Sequence, residues 1–193
     1  MRTMTPTDEE PATPVDVDET VVTDVAAHVV EFTLGTETCA IDIDSVDSIV
    51  ETKQITRVPR APDAVEGVMD LRGETTAVVD PKEFLSVGEG GATENILVLD
   101  GDEDKQKIGI RVDEVTEVAS YPDTQVDDNG QLDGITSSAI SAELINGVLR
   151  KHVGTVDDEG VPEDVKLVLW LDIDALISSI SNGDGTIEAD NQV

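Results

Sequence analysis

Three short patterns occur twice in this chain, in the same order, and together they limit what it can fold into. Ile41-Asp42-Ile43-Asp44-Ser45-Val46-Asp47-Ser48-Ile49 lines up with Ile110-Arg111-Val112-Asp113-Glu114-Val115-Thr116-Glu117-Val118 as apolar, any, apolar, Asp, any, Val, any, any, apolar. An apolar-x-Gly-Val step follows in each half, at residues 65–68 and 145–148. Each half then closes with a strand-like run, an Asp and a short amphipathic turn: Val78-Val79-Asp80 to Phe84-Leu85, and Trp170-Leu171-Asp172 to Leu176-Ile177. Val and Asp are abundant, so no single match carries weight, but the shared order does. The expectation is a duplicated, all-β architecture with about five short strands in each half, as two partly open antiparallel barrels packed together. A seam between such barrels buries apolar surface and can leave a groove at its edge.

The clearest single element is the stretch 65–80, VEGVMDLRGETTAVVD. Val65, Gly67, Met69 and Leu71 alternate with Glu66, Val68 and Asp70, which is a strand period. Arg72 and Gly73 interrupt it, and Gly permits the positive φ of a tight hairpin turn. The run 75–79 is β-branched apart from Ala77 and reads as the return strand. Arg72 therefore belongs at an exposed hairpin end.

Strands are also expected at 29–34, 39–43, 46–51, 96–99, 108–112 (with the apolar pattern continuing through Val115 and Val118) and 166–171. VPRAP at 58–62 cannot be a central strand, because proline lacks an amide donor; a stiff connector fits better than a PxxP ligand. A short helical turn is expected at 81–85, a short helix at 137–144 and a closing helix at 174–180. Loops are expected at 88–91, 101–107, 121–134 and 153–165, and acidic, flexible tails at 1–25 and 181–193.

Charge narrows the choice of partner. With 43 Asp and Glu against 12 Lys and Arg the chain carries a net −31, which makes nucleic acid and anionic membranes poor partners. Aromatic content is 2%, so the core must be built from Val, Ile, Leu and Ala. Such a surface suits high salt, where repulsion between carboxylates is screened. The exception is the window 52–73, where Lys53, Arg57, Arg60 and Arg72 outnumber Asp63, Glu66 and Asp70. Arg suits bidentate carboxylate recognition and protein interfaces; the plainer reading is that these bases offset the surrounding acidic surface.

Chemistry is sparse. Cys39 is the one cysteine, so no internal disulfide can form, and it sits in an apolar run as a small core residue. His28 and His152 lie in no metal-ligand spacing. Asp100-Gly101-Asp102-Glu103-Asp104 opens like a calcium loop, but Lys105 stands where Gly is needed and Arg111 where a bidentate Glu is needed. No cofactor or metal is expected, and an enzyme is the poorer reading. No signal core or membrane span is legible, so a cytoplasmic protein without direct membrane insertion is expected.

The residues 28–180 resemble the CheW family of chemotaxis coupling proteins. The resemblance rests on Ala40-Ile41-Asp42-Ile43, on Ile55-Thr56-x-Val58-Pro59-x-Ala61-Pro62, and above all on Val65-Glu66-Gly67-Val68-Met69-Asp70-Leu71-Arg72-Gly73, continued by Val78-Val79-Asp80 and Val112-Asp113-x-Val115. It implies two five-stranded SH3-like β-barrel subdomains, interleaved at roughly 26–90 and 91–180. It also implies a non-enzymatic adaptor that joins the cytoplasmic tip of chemoreceptors (methyl-accepting chemotaxis proteins) to the regulatory domain of the CheA histidine kinase, in arrays at the membrane. The alternative is a CheW-like scaffold of another histidine-kinase pathway. Carried across by position, Arg72 is implied in coupling, and Val30, Ile43, Val46, Ile49 and Val115 in a receptor groove. Two positions depart from the pattern: Ser48, where many members carry Glu, and Asp70, where many carry Asn.

Overall fold

The structure is a computed structural model, and it describes residues 25–181 other than 84, 93, 102–105, 128–139 and 157–161. Among the described residues, eleven strands run in chain order: β1 Val25–Leu34, β2 Glu37–Asp42, β3 Val46–Glu51, β4 Val65–Leu71, β5 Glu74–Val79, β6 Asn95–Leu99, β7 Lys107–Val112, β8 Glu114–Pro122, β9 Val126–Asp127, β10 Ile145–Val156 and β11 Pro162–Leu171. One helix, α1 Ile173–Ser181, follows the last strand.

The strands form two sheets, in the orders β8-β1-β2-β11-β10-β9 and β3-β6-β7-β5-β4. Apart from the two-residue β9, which makes the first sheet six-stranded rather than five, the sheets share one topology. The hairpins β1-β2 and β6-β7 correspond, as do β4-β5 and β10-β11; each sheet has one parallel contact, β2 with β11 and β7 with β5. Each sheet takes one hairpin, β1-β2 or β6-β7, from one half of the chain and its other strands from the other half. The chain changes sheet twice, between β2 and β3 and between β7 and β8, and these crossings are the two copies of the first repeated pattern.

The other two repeats fall on equivalent places as well. Register shifts occur at Val65/Gly67 in β4 and at Ile145/Gly147 in β10, within the apolar-x-Gly-Val steps. After β5 comes a 3-10 turn at Pro81–Glu83, and after β11 comes α1, whose Asp172 carboxylate accepts the Ala175 N–H at 2.9 Å as an N-terminal cap.

Three apolar clusters follow from strand alternation. Ala27, Val29, Ala40, Leu149, Val168 and Tyr121 fill the first barrel, and Met69, Val78, Ile96 and Val98 fill the second. The opposite faces of the same strands supply the largest cluster: Val30, Phe32 and Ile41 from one sheet, Leu97, Leu99, Ile110 and Val112 from the other, with Leu144 and Leu176 beside them. β1 and β6 are therefore buried on both faces, which is why they read as near-continuous apolar runs.

Several expectations are corrected. Ile43 is not in a strand but opens the 3-10 turn Ile43–Ser45 that carries the chain from one sheet to the other. The stretch from 121 begins in β8 and continues through a 3-10 turn at Asp123–Gln125 into β9, because Tyr121 turns into the first barrel; residues 128–134 lie outside the described ones. Much of 153–165 is strand: β10 and β11 extend as a ribbon through His152↔Val165 and Val153↔Asp164, and acidic side chains on an exposed ribbon hide its pairing from composition. Of the helix at 137–144 the described residues show a 3-10 turn at Ala142–Leu144.

Two ion-pair sites tie distant parts of the chain together, one of them at a crossing. Asp113, 4% exposed at the β7–β8 corner, accepts from Lys82 Nζ at 2.5 Å and from the Gly35 N–H at 2.7 Å. Glu31, buried on β1, is met at 2.5 Å by the Tyr121 hydroxyl of the neighbouring β8 and by Lys151 Nζ of β10, which is not adjacent to β1 in the sheet. Asp113→Ala removes a nearly buried acceptor that serves both the Gly35 N–H and Lys82, whose side chain is 22% exposed, so it should cost about 1–3 kcal/mol in chemical denaturation; a loss below about 0.5 kcal/mol would show that the corner does not depend on it.

Candidate functional site

The edge strands β3 and β8 flank the shared cluster. In the first sheet Val118 of β8 stands opposite Val30, and Val30 opposite Ile41. In the second, Ile49 of β3 stands opposite Leu97, and Leu97 opposite Ile110. The next row repeats the match, with Val115 opposite Phe32 and Val46 opposite Leu99. Cross-strand partners share a face, so Val46, Ile49, Val115 and Val118 all stand on the seam face of the two edge strands.

The residues implied in the receptor groove divide by depth. Val30, 1% exposed, lies within the shared core and offers no side-chain surface to a partner. Ile43, Val46 and Val115 are half-buried and pack against that core. Ile49 is 42% exposed at the rim. Val118, 49% exposed, completes the apolar rim and was not singled out for the groove from sequence, although the first repeat aligns it with Ile49.

Arg72 and Gly73 form the two-residue β4–β5 turn, with φ of 54° and 89°. Positive φ at both central positions defines a type I′ turn, where Asn, Asp and Gly are favoured and Arg is not. Asp70 Oδ1 accepts the Gly73 N–H at 3.1 Å, a bond that an Asn at that position could also make. The guanidinium of Arg72 is exposed and, among the described residues, makes no ion pair or side-chain hydrogen bond. A left-handed non-glycine residue held at an exposed apex is local strain of the kind that collects at functional positions.

The remaining candidates are inert. The Cys39 thiol is buried in the shared core, and burial, with the Glu37 charge as a smaller cause, pushes it up to about 12. It is not a nucleophile at neutral pH. His28 is exposed on β1, and His152 Nδ1 faces Gln125 Nε2 at 3.2 Å. Among the described residues no three His, Cys, Asp or Glu side chains converge as metal ligands; the acidic run at 102–104 lies outside them. No helix among the described residues is long and apolar enough to cross a membrane. Ser48, in place of the Glu that the resemblance leads one to expect, donates to Asp47 Oδ2 at 3.2 Å.

Two like sheets share one core, with an apolar rim on equivalent edge strands and an arginine held left-handed at a hairpin apex, which defines a paired β-barrel protein. The comparisons give its family. Residues 28–181 match the model of the CheW-like domain, and the chain belongs to that family. The chemotaxis protein CheW of Thermotoga maritima is 26% identical over 158 residues, which is 82% of this chain and 92% of the relative. That of Treponema pallidum is 29% identical over 134 residues, 67% and 76% of the two chains. The crystal structure of the scaffolding protein TtCheW from Thermoanaerobacter tengcongensis superposes with a TM-score of 0.59 at 24% identity, over 76% of this chain and 84% of that one.

Asp42, at the end of β2 beside Ile43, has its carboxyl raised by burial, with the charges of Asp44 and Asp172 adding and the Trp170 indole opposing. A raised carboxyl favours the folded state below its ordinary 3.8 and costs stability once pH passes its folded value. Asp42→Asn should therefore raise Tm at pH 7 and give no gain at about pH 3; equal gains at both would assign the effect to packing. In the same scans, Arg72→Asn should raise stability by up to about 1 kcal/mol, because Asn tolerates the left-handed turn.

Proposed function

We propose that this chain is a non-enzymatic adaptor that couples chemoreceptors to a CheA-type histidine kinase. The observation that carries the reading is the seam rim: family membership supplies the class, and Ile49 and Val118 supply an exposed apolar line above a fully buried core. A receptor tip is a helical hairpin, and a helix presents apolar side chains at three- and four-residue spacing that suit such a rim. The kinase's regulatory domain engages a separate surface, and Arg72 restricts the geometry between the two. The adaptor works from the cytoplasmic side of receptor arrays and holds no cofactor. Its net charge of −31 fits a high-salt interior, where a Debye length of about 3 Å at 1 M screens carboxylate repulsion.

The test is reconstitution with receptor and kinase in salt. Ile49→Asp and Val118→Asp, both at exposed positions, should each weaken receptor-tip binding by about tenfold or more while leaving the circular dichroism spectrum intact. Arg72→Glu should keep the fold and abolish kinase activation. Wild-type binding by both rim variants would overturn the groove, and full activation by Arg72→Glu would overturn the coupling role.

A further inference from the structure

Four of the described bases, Lys82, Lys107, Arg111 and Lys151, meet carboxylates within 4.0 Å. Lys53, Arg57, Arg60 and Arg72 do not, in a chain with 43 acidic residues. Of the acids in this window, Glu66 pairs with Arg111 at 2.5 Å and Asp70 holds the Gly73 N–H, while the exposed Asp63 meets none of these bases within 4.0 Å. These bases therefore form no contact ion pair with the acidic surface around them.

Their backbone is fixed. Thr56 and Val68 exchange two hydrogen bonds of 2.8 Å, which lays the segment before β4 antiparallel along the outer edge of the second sheet. Gly67 permits this approach, because a Cβ there would lie 2.3 Å from the Thr56 carbonyl oxygen. Val58–Ala61 closes a turn with Pro59 second and Arg60 third, where φ is 64°. This is the position of a type II turn that favours Gly or Asn. Arg60 and Arg72 are the only non-glycine residues with positive φ among those described. Between Arg57 and Arg60, Val58 is 42% exposed.

We infer that this strap, Lys53-Arg57-Val58-Arg60 with Arg72 at the adjoining hairpin apex, docks a carboxylate-bearing segment of a partner protein. Free guanidinium groups on a rigid edge suit carboxylate forks. The exposed Val58 adds the apolar contact typical of a protein interface, and the net −31 opposes a nucleic-acid partner. The inference stands on the ion-pair pattern and turn geometry; it shares Arg72 with the coupling role proposed above, and its test leaves Arg72 in place.

The test is fluorescence anisotropy of a short labelled peptide alternating Glu with Leu, titrated with the full chain at about 0.2 M and 1 M KCl, beside a labelled single-stranded DNA of equal charge. The wild type should bind the peptide, more weakly at the higher salt, and bind it tighter than the DNA. The variant Lys53→Ser, Arg57→Ser, Arg60→Asn should lose about tenfold or more in affinity with no fall in Tm, since Asn suits the turn. Lys166→Ser, at an unpaired base outside the strap, should bind as wild type. Absence of binding by the wild type, an unaffected triple variant, an equal loss in Lys166→Ser, or tighter binding of the DNA would each overturn the assignment.

Discussion

Val30 and Phe32 of β1 and Leu97 and Leu99 of β6 enter one apolar cluster, and the placement of every other element follows from it. Those strands can supply a shared core because their alternate residues, Val29 on one and Ile96 and Val98 on the other, fill the separate barrel interiors. A strand buried in this way also needs a hydrogen-bonding neighbour at each edge. The chain provides them by sending β3 to the second sheet and β8 to the first. Neither half of the sequence then owns a complete sheet. The edge strands left at the seam have one buried and one open face, and this is what sets Ile49 and Val118 at the rim.

Electrostatics divides the surface into two regimes. Where burial is deep, carboxylates are matched: Asp113 by Lys82 and the Gly35 amide, Glu31 by Lys151 and Tyr121. Along the outer edge of β4 the bases are unmatched although acids are plentiful. The difference follows burial, since a buried charge must be satisfied within the fold while an exposed one is solvated and can stay unpaired. The two left-handed arginines belong to the second regime and have backbone geometry that a purely structural position would assign to Gly or Asn.

Much of this was legible in the sequence, for identifiable reasons. The three repeated patterns mark chain crossings, bulges and strand ends, which are places where backbone geometry demands particular residues. The Arg72-Gly73 turn was legible because alternation stops there. The exchange of strands between sheets came only from the family resemblance, as interleaving without named strands, because periodicity reports which face a residue occupies and not which sheet pairs with it. The ribbon of β10 and β11 was hidden by its acidic composition, as Glu163 and Asp164 read as loop residues until pairing is seen. Val30 reads as groove-lining when its position is carried from a family pattern, but the structure places it in the core. Val118 was missed although the repeat aligned it with Ile49. The ion-pair vacancy of Arg57 and Arg60 requires coordinates, because sequence cannot say where Glu66 and Asp70 point.

The central claim is that one shared core makes the two sheets a single cooperative unit. Differential scanning calorimetry of the full chain in high salt tests it most directly. The account predicts one transition, with the calorimetric enthalpy equal to the van't Hoff enthalpy. Two resolved transitions, or a calorimetric enthalpy well above the van't Hoff value, would contradict it.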